Sequence, residues 1–183
     1  MRFQILNHRF SRQRLYDWLL HKLLQQMGYG IGGDFLTSGE LPTLAYAYQA
    51  FRAKPSETPF VMFDIGANTG EYALHAARIC AEQAIIYAFD PDPASYAELE
   101  RQTASSPMIK AFQLGFGADV TSRPFFSQRV GVSTSGSFFR YNLEKYDIHD
   151  IVETSVLLET LDHFCAEQAI GRLHFLKMDA EGA

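Results

Sequence analysis

The feature that most restricts the fold of this 183-residue chain is the run Val61-Met62-Phe63-Asp64-Ile65-Gly66-Ala67-Asn68-Thr69-Gly70. It is a short apolar stretch of strand-forming residues that runs straight into a glycine-spaced turn. Glycine reaches backbone conformations closed to other residues, so Gly66 lets the chain leave a strand sharply and Gly70 lets the next helix start close by. A strand, turn and helix in this order predict a buried parallel sheet whose open turn presents bare backbone amides to a ligand. Asp64, at the strand end, adds a carboxylate suited to holding a cationic amine directly or through water.

The remaining pattern extends that unit into an α/β fold. After the strand Phe60 to Ile65, a helix is predicted over Gly70 to Ala81, a strand over Ala84 to Phe89, a helix over Asp92 to Ala104 and a strand over Ile109 to Leu114. Ala118 to Asp150 breaks the rhythm, with Pro124-Phe125-Phe126 and Ser137-Phe138-Phe139 flanking a Gly/Ser/Thr-rich segment, and reads as a hairpin or an irregular insertion. Val152 to Leu158 is read as a strand, Thr160 to Gln168 as a short helix and Leu173 to Met178 as a last buried strand.

Before the core, Leu15, Trp18, Leu19, Leu23 and Met27 recur at helical spacing over Ser11 to Met27. This amphipathic helix is expected to cap the core, with a lid, a partner contact or a membrane-surface contact as alternatives. Gly28, Gly30, Gly32 and Gly33 end it, and Leu41 to Arg52, opening at Pro42, forms a second helix. The expected organisation is an N-terminal helical extension, 1–59, followed by the α/β core, 60–183.

A content of 47% hydrophobic residues suffices for one sizeable core. With 16 basic and 21 acidic residues the net charge is −5, which argues against a nucleic-acid partner. Cys80 and Cys165 have no paired spacing and read as core thiols. No apolar run is long enough to span a bilayer and no secretory signal is evident, so a soluble, cytoplasmic protein is expected. His149 and His174 lack metal-ligand spacing, and no metal is expected.

Asp90 ends the second strand in Tyr87-Ala88-Phe89-Asp90-Pro91, where a carboxylate accepts hydrogen bonds from the ribose hydroxyls of an adenosine-containing cofactor. The turn decides which cofactor. A dinucleotide site wants Gly-x-Gly-x-x-Gly, whereas this turn is Gly66-x-Asn68-x-Gly70, and Asp64 would repel a diphosphate. The same carboxylate suits a sulfonium cofactor with an amino-acid tail, which favours S-adenosylmethionine. Gly66, Ala67, Asn68 and Gly70, with Asp64 and Asp90, are the candidate cofactor residues.

These residues resemble the FkbM-like methyltransferases. The family's Asp-x-Gly-Ala-Asn-x-Gly turn matches Asp64 to Gly70, its Tyr-Ala-Phe-acidic-Pro strand end matches Tyr87 to Pro91, and its Leu-Asp pair matches Leu161-Asp162. Its Lys-x-Asp-x-Glu-Gly strand end matches Lys177 to Gly182, so the resemblance covers Phe60 to Ala183. It implies a doubly wound, Rossmann-like class I methyltransferase sheet and methylation of a hydroxyl on a sugar or natural-product-like small molecule. Asp90 replaces the more usual glutamate, a shortening that still permits ribose contact, and Asp119 lies where related folds approach the adenine edge.

Lys177, Asp179 and Glu181 are the catalytic candidates. Methyl transfer is a direct displacement that mainly needs alignment and exclusion of water, and Asp179 and Glu181 are suited to bind or deprotonate the acceptor hydroxyl. Lys177 and the two acids also read as a plain ion-pair cluster, and Asp162 as a helix cap. A sheet of this class runs 3-2-1-4-5-7-6, of which the chain is expected to supply strands 3-2-1-4, with the last strands missing. The fourth strand is then an exposed edge that invites self-association. A non-catalytic nucleoside-binding module and an NAD-linked oxidoreductase remain the alternatives.

Overall fold

The computed structural model describes residues 4–26, 35–36, 38–53, 58–81, 83–128, 136–140 and 150–179. The helix-ending glycines Gly28, Gly30, Gly32 and Gly33, together with Met27, His149, Glu181 and Gly182, lie outside the described residues. The chain divides into two compact units, Met1–Thr43 and Leu44–Ala183.

The first unit holds α1 (Gln4–Gln26) and the opening turn of α2 (Glu40–Arg52). Leu15, Tyr16, Trp18, Leu19, Leu20 and Leu23 of α1 are exposed. Apolar residues occur around much of its circumference, with Arg12, Arg14 and Lys22 among them, and no clean amphipathic face results.

The second unit is built on a parallel sheet of β1 (Phe60–Ile65), β2 (Ala84–Phe89), β3 (Ile109–Phe112) and β7 (Phe175–Met178), in the order β3-β2-β1-β7. In the family's nomenclature β7 takes the fourth position, so the expected α/β fold and strand order 3-2-1-4 are found. The central strands β1 and β2 are short apolar runs because they are covered on both faces, whereas β7, expected as a buried strand, leaves Leu176 and Met178 exposed. On β1, Phe63 and Ile65 point one way while Phe60, Met62 and Asp64 point the other.

The first face carries an aromatic core. Phe164 of α5 (Leu161–Glu167) meets Phe63, Tyr87, Phe89, Phe112 and Phe116 at ring separations of 5.7, 5.9, 4.9, 5.2 and 6.0 Å, each nearly perpendicular. Edge-to-face geometry adds favourable quadrupole contact to the burial of these rings. The opposite face receives α3 (Glu71–Cys80), whose Tyr72, Ala73, Ala76, Ala77 and Cys80 form one buried stripe. Near the amino end of β1, Tyr48 and Phe51 of α2 pack on Phe60 at 5.4 and 5.3 Å.

Helix α4 (Pro93–Thr103) links β2 to β3; Asp92 caps it by accepting the backbone N–H of Ser95 at 3.2 Å. The third strand ends at Phe112 rather than Leu114, and the chain then forms β4 (Gly115–Phe116) in a separate sheet. That sheet has the order β4-β6-β5, with β5 (Thr121–Gln128) antiparallel to β6 (Ile151–Glu159). The segment Ala118 to Asp150, read as a hairpin or irregular insertion, therefore supplies β5, which pairs with the strand that follows the segment, and it carries a further bridge from Phe126 to Ser137. Thr160, not Asp162, caps α5: its hydroxyl accepts the His163 N–H at 3.1 Å, because Thr160 holds the extended backbone that a cap requires.

Candidate active site

The turn after β1 is held by its own backbone. The N–H groups of Gly66 and Ala67 both donate to the Phe89 carbonyl at 2.9 Å, and Gly70 N–H donates to Ala67 at 2.8 Å. Gly66, Asn68 and Gly70 have φ of 74°, 48° and 87°. Asparagine tolerates this left-handed region, so a side chain is accommodated where a dinucleotide turn would use glycine. The Asn68 Oδ1 atom is buried and has no hydrogen-bond partner among the described residues.

Each glycine also permits a close approach. A Cβ on Gly66 would overlap the carbonyl oxygen of Asp179, and one on Gly70 would come within 2.6 Å of Leu99 Cδ1. Gly66 thus brings the end of β7 against the turn. The Asp179 N–H completes this junction by donating to Ile65 at 2.9 Å.

Asp90 joins the turn from the end of β2. Its Oδ2 accepts the Asn68 N–H at 2.8 Å and its Oδ1 accepts the Asp92 N–H at 3.0 Å. Only 8% of the residue is exposed, and burial pushes the carboxyl up to about 6 against the pull of those two hydrogen bonds; Asp92 and Asp64 add like-charge repulsion. Each carboxylate oxygen keeps acceptor capacity beyond its one backbone bond.

Asp64 is fully buried, and Lys177, its register partner on β7, places Nζ 3.2 Å from Oδ1. The same ammonium donates to the Gly66 carbonyl at 3.1 Å and lies 5.6 Å from the centre of the Tyr72 ring. Asp179 is more distant, its Oδ2 4.0 Å from Lys177 Nζ, and 69% of its side chain is exposed.

Asp64, Gly66, Ala67, Asn68, Gly70, Asp90, Lys177 and Asp179 therefore gather where β1, β2 and β7 end. Asp119 does not join them through any described contact; it is exposed between β4 and β5. Tyr72 and Asp92 were not singled out from sequence. The position of Asp92 directly before Pro93 is a helix-start signal from which a cap can be read; nothing local marks Tyr72. Away from the turn, His163 Nδ1 lies 3.1 Å from the buried Glu159 and its Nε2 3.9 Å from the exposed Glu167.

The model of the methyltransferase FkbM domain matches residues 64–183, from the buried aspartate of the turn to the last residue. The chain belongs to this family. Among solved structures, this FkbM-family chain is similar to methyltransferase FkbM from Methylobacillus flagellatus KT, with 16% identity over 81% of this chain and a TM-score of 0.42. It spans 35% of that protein's length. A further similar structure is a putative S-adenosylmethionine dependent methyltransferase from Listeria monocytogenes, at 12% identity over 68% of this chain and 81% of that one, with a TM-score of 0.28. Comparison with curated protein sequences gives no match. Among the described residues, no helix of the FkbM-family chain is long and apolar enough to cross a membrane.

Proposed function

We propose that this FkbM-family chain binds S-adenosylmethionine at the turn after β1 and transfers its methyl group to a hydroxyl of a sugar or natural-product-like small molecule. The observation that carries the reading is the hydrogen bond from Asn68 N–H to Asp90, which makes the glycine turn and the strand-end carboxylate one site. The residues fit that cofactor in three respects. Positive-φ backbone at Gly66, Asn68 and Gly70 leaves the turn open, Asp90 retains lone pairs for ribose hydroxyls, and Asn68 Oδ1 is a buried acceptor lacking a partner among the described residues. The acidic character of the turn suits a cation and opposes a diphosphate, which disfavours a nicotinamide dinucleotide.

S-adenosylmethionine, when bound, supplies an electrophilic methyl group on a sulfonium. The chain's task is alignment. Asp90 and Asn68 hold the nucleoside end and Asp64 faces the cationic end. Asp179, exposed at the tip of β7 beside Gly66, accepts the proton of the attacking hydroxyl. Glu181, two residues on, is proposed to share that role.

Calorimetry with S-adenosylmethionine on the chain and on Asp90→Ala tests the site: binding is expected for the first and a loss of at least tenfold in affinity for the second. Equal heats would overturn the assignment. Transfer of a labelled methyl group to sugar hydroxyls, reduced in Asp179→Asn with donor affinity unchanged, tests the chemistry; a non-catalytic binding module predicts binding without transfer.

A further inference from the structure

Lys177 sits between the two halves of the proposed reaction. Its ammonium touches the buried Asp64 carboxylate at 3.2 Å and the Gly66 carbonyl at 3.1 Å, while Asp179 lies 4.0 Å away on the solvent side. Only 15% of the Lys177 side chain is exposed, and none of Asp64 is. A lysine at the end of a strand ordinarily extends into water. Here it bends back over the turn and rests against the Tyr72 ring.

A carboxylate with no solvent exposure needs a compensating cation or hydrogen bonds to stay ionised. Among the contacts given by described residues, Lys177 of β7 meets Asp64 directly, Tyr72 of α3 and Asp179 lie against the Lys177 ammonium, and Asp90 at the end of β2 faces Asp64 as a like charge. Of these, Lys177 is the cation. The others are neutral or acidic, and Asp90 and Asp64 repel one another. Without Lys177, burial and the neighbouring acid would both drive a proton onto Asp64.

We propose that Lys177 is a positioning residue that keeps Asp64 ionised and fixes the Gly66 peptide, so that donor affinity is independent of Asp64 protonation around neutral pH. The proposal rests on the donor reading above and adds to it a division of labour. Lys177 touches neither the acceptor proton nor the transferred methyl; it acts on the donor through Asp64 and Gly66. The lysine of the strand-end motif thus serves the turn on the adjacent strand.

The experiment has two arms. In the first, without donor, the Asp64 carboxyl is followed by carbon-13 NMR from pH 5 to 8.5 in the native chain and in Lys177→Met. Asp64 is expected to remain ionised throughout the native titration and to take up a proton within this range in the variant. In the second, S-adenosylmethionine affinity is measured from pH 6.5 to 8.5. The affinity of Lys177→Met relative to the native chain is expected to rise with pH, by up to tenfold per unit below the new Asp64 titration point. The ratio cancels titration of the donor's own amine.

Lys177→Arg, which keeps the charge, should restore an ionised Asp64 and a flat ratio. If Lys177→Met alone does not fold, Asp64→Asn/Lys177→Met removes both charges; it is expected to fold, with donor affinity reduced by the same factor at every pH. An Asp64 that stays ionised in Lys177→Met, or a pH-independent ratio, overturns the proposal and leaves Lys177 a packing residue. Absence of donor binding by the native chain would refute the donor reading instead, and the NMR arm would still decide the state of Asp64.

Discussion

Ionised Asp90 is expected to work against the folded state at neutral pH. Its carboxyl rises from 3.8 to about 6, chiefly through burial. At about 1.36 kcal/mol per unit, this costs the ionised folded chain about 3 kcal/mol relative to the unfolded chain. The direction follows from proton counting. Between 3.8 and 6 the folded chain binds more protons at this site than the unfolded chain. With respect to Asp90, stability is therefore greatest at low pH, declines as pH rises through 6 and is level above it. Roughly 2 kcal/mol of the change falls between pH 4 and 7. Asp90→Asn abolishes the titration while keeping one oxygen acceptor. Any hydrogen bond lost in the variant adds an offset that does not vary with pH. Urea unfolding of both proteins at pH 4, 5, 6 and 7 should show the native chain losing about 2 kcal/mol against the variant across that range. Parallel curves, agreeing within about 0.5 kcal/mol after subtraction of the offset, would refute the reasoning.

Gly66→Ala combines a left-handed backbone with overlap against the Asp179 carbonyl, and it should lower unfolding free energy by more than about 2 kcal/mol; a loss below about 1 kcal/mol in urea denaturation would contradict the close approach. His174 accepts the Val61 N–H through Nδ1 at 3.0 Å, and burial first, then Arg172, lowers its pKa below 6.5. The stability it contributes is present above 6.5 and fades as pH falls through the lowered value, so its imidazole NMR midpoint should lie below 6.5 and His174→Ala should lose less stability on acidification than the native chain.

Much of the core was legible because its signals are local. The bounds of β1 and β2 follow from short apolar runs punctuated by Gly66 and Asp90, and the start of α4 from Asp92-Pro93. The Asp64–Lys177 ion pair was not legible, since only sheet order puts β7 beside β1 and sets residue 64 opposite 177. Lys177 consequently read as a member of the strand-end acidic cluster, whereas in the fold it turns toward the turn. The second sheet was hidden for the same reason. Antiparallel pairing of β5 with β6 is a long-range choice, and β4 is too short to announce itself.

The junction of Gly66 with Asp179 is formed by main-chain atoms on both sides, through the Asp179 carbonyl and its N–H to Ile65. Its spacing therefore survives replacement of almost any surrounding side chain, provided position 66 stays glycine. Under the proposed function, the span between methyl donor and acceptor is then inherited with the backbone. Side chains that recognise the acceptor are free to diverge without detuning that span, so descendants of one scaffold could change what they methylate while keeping how they methylate it.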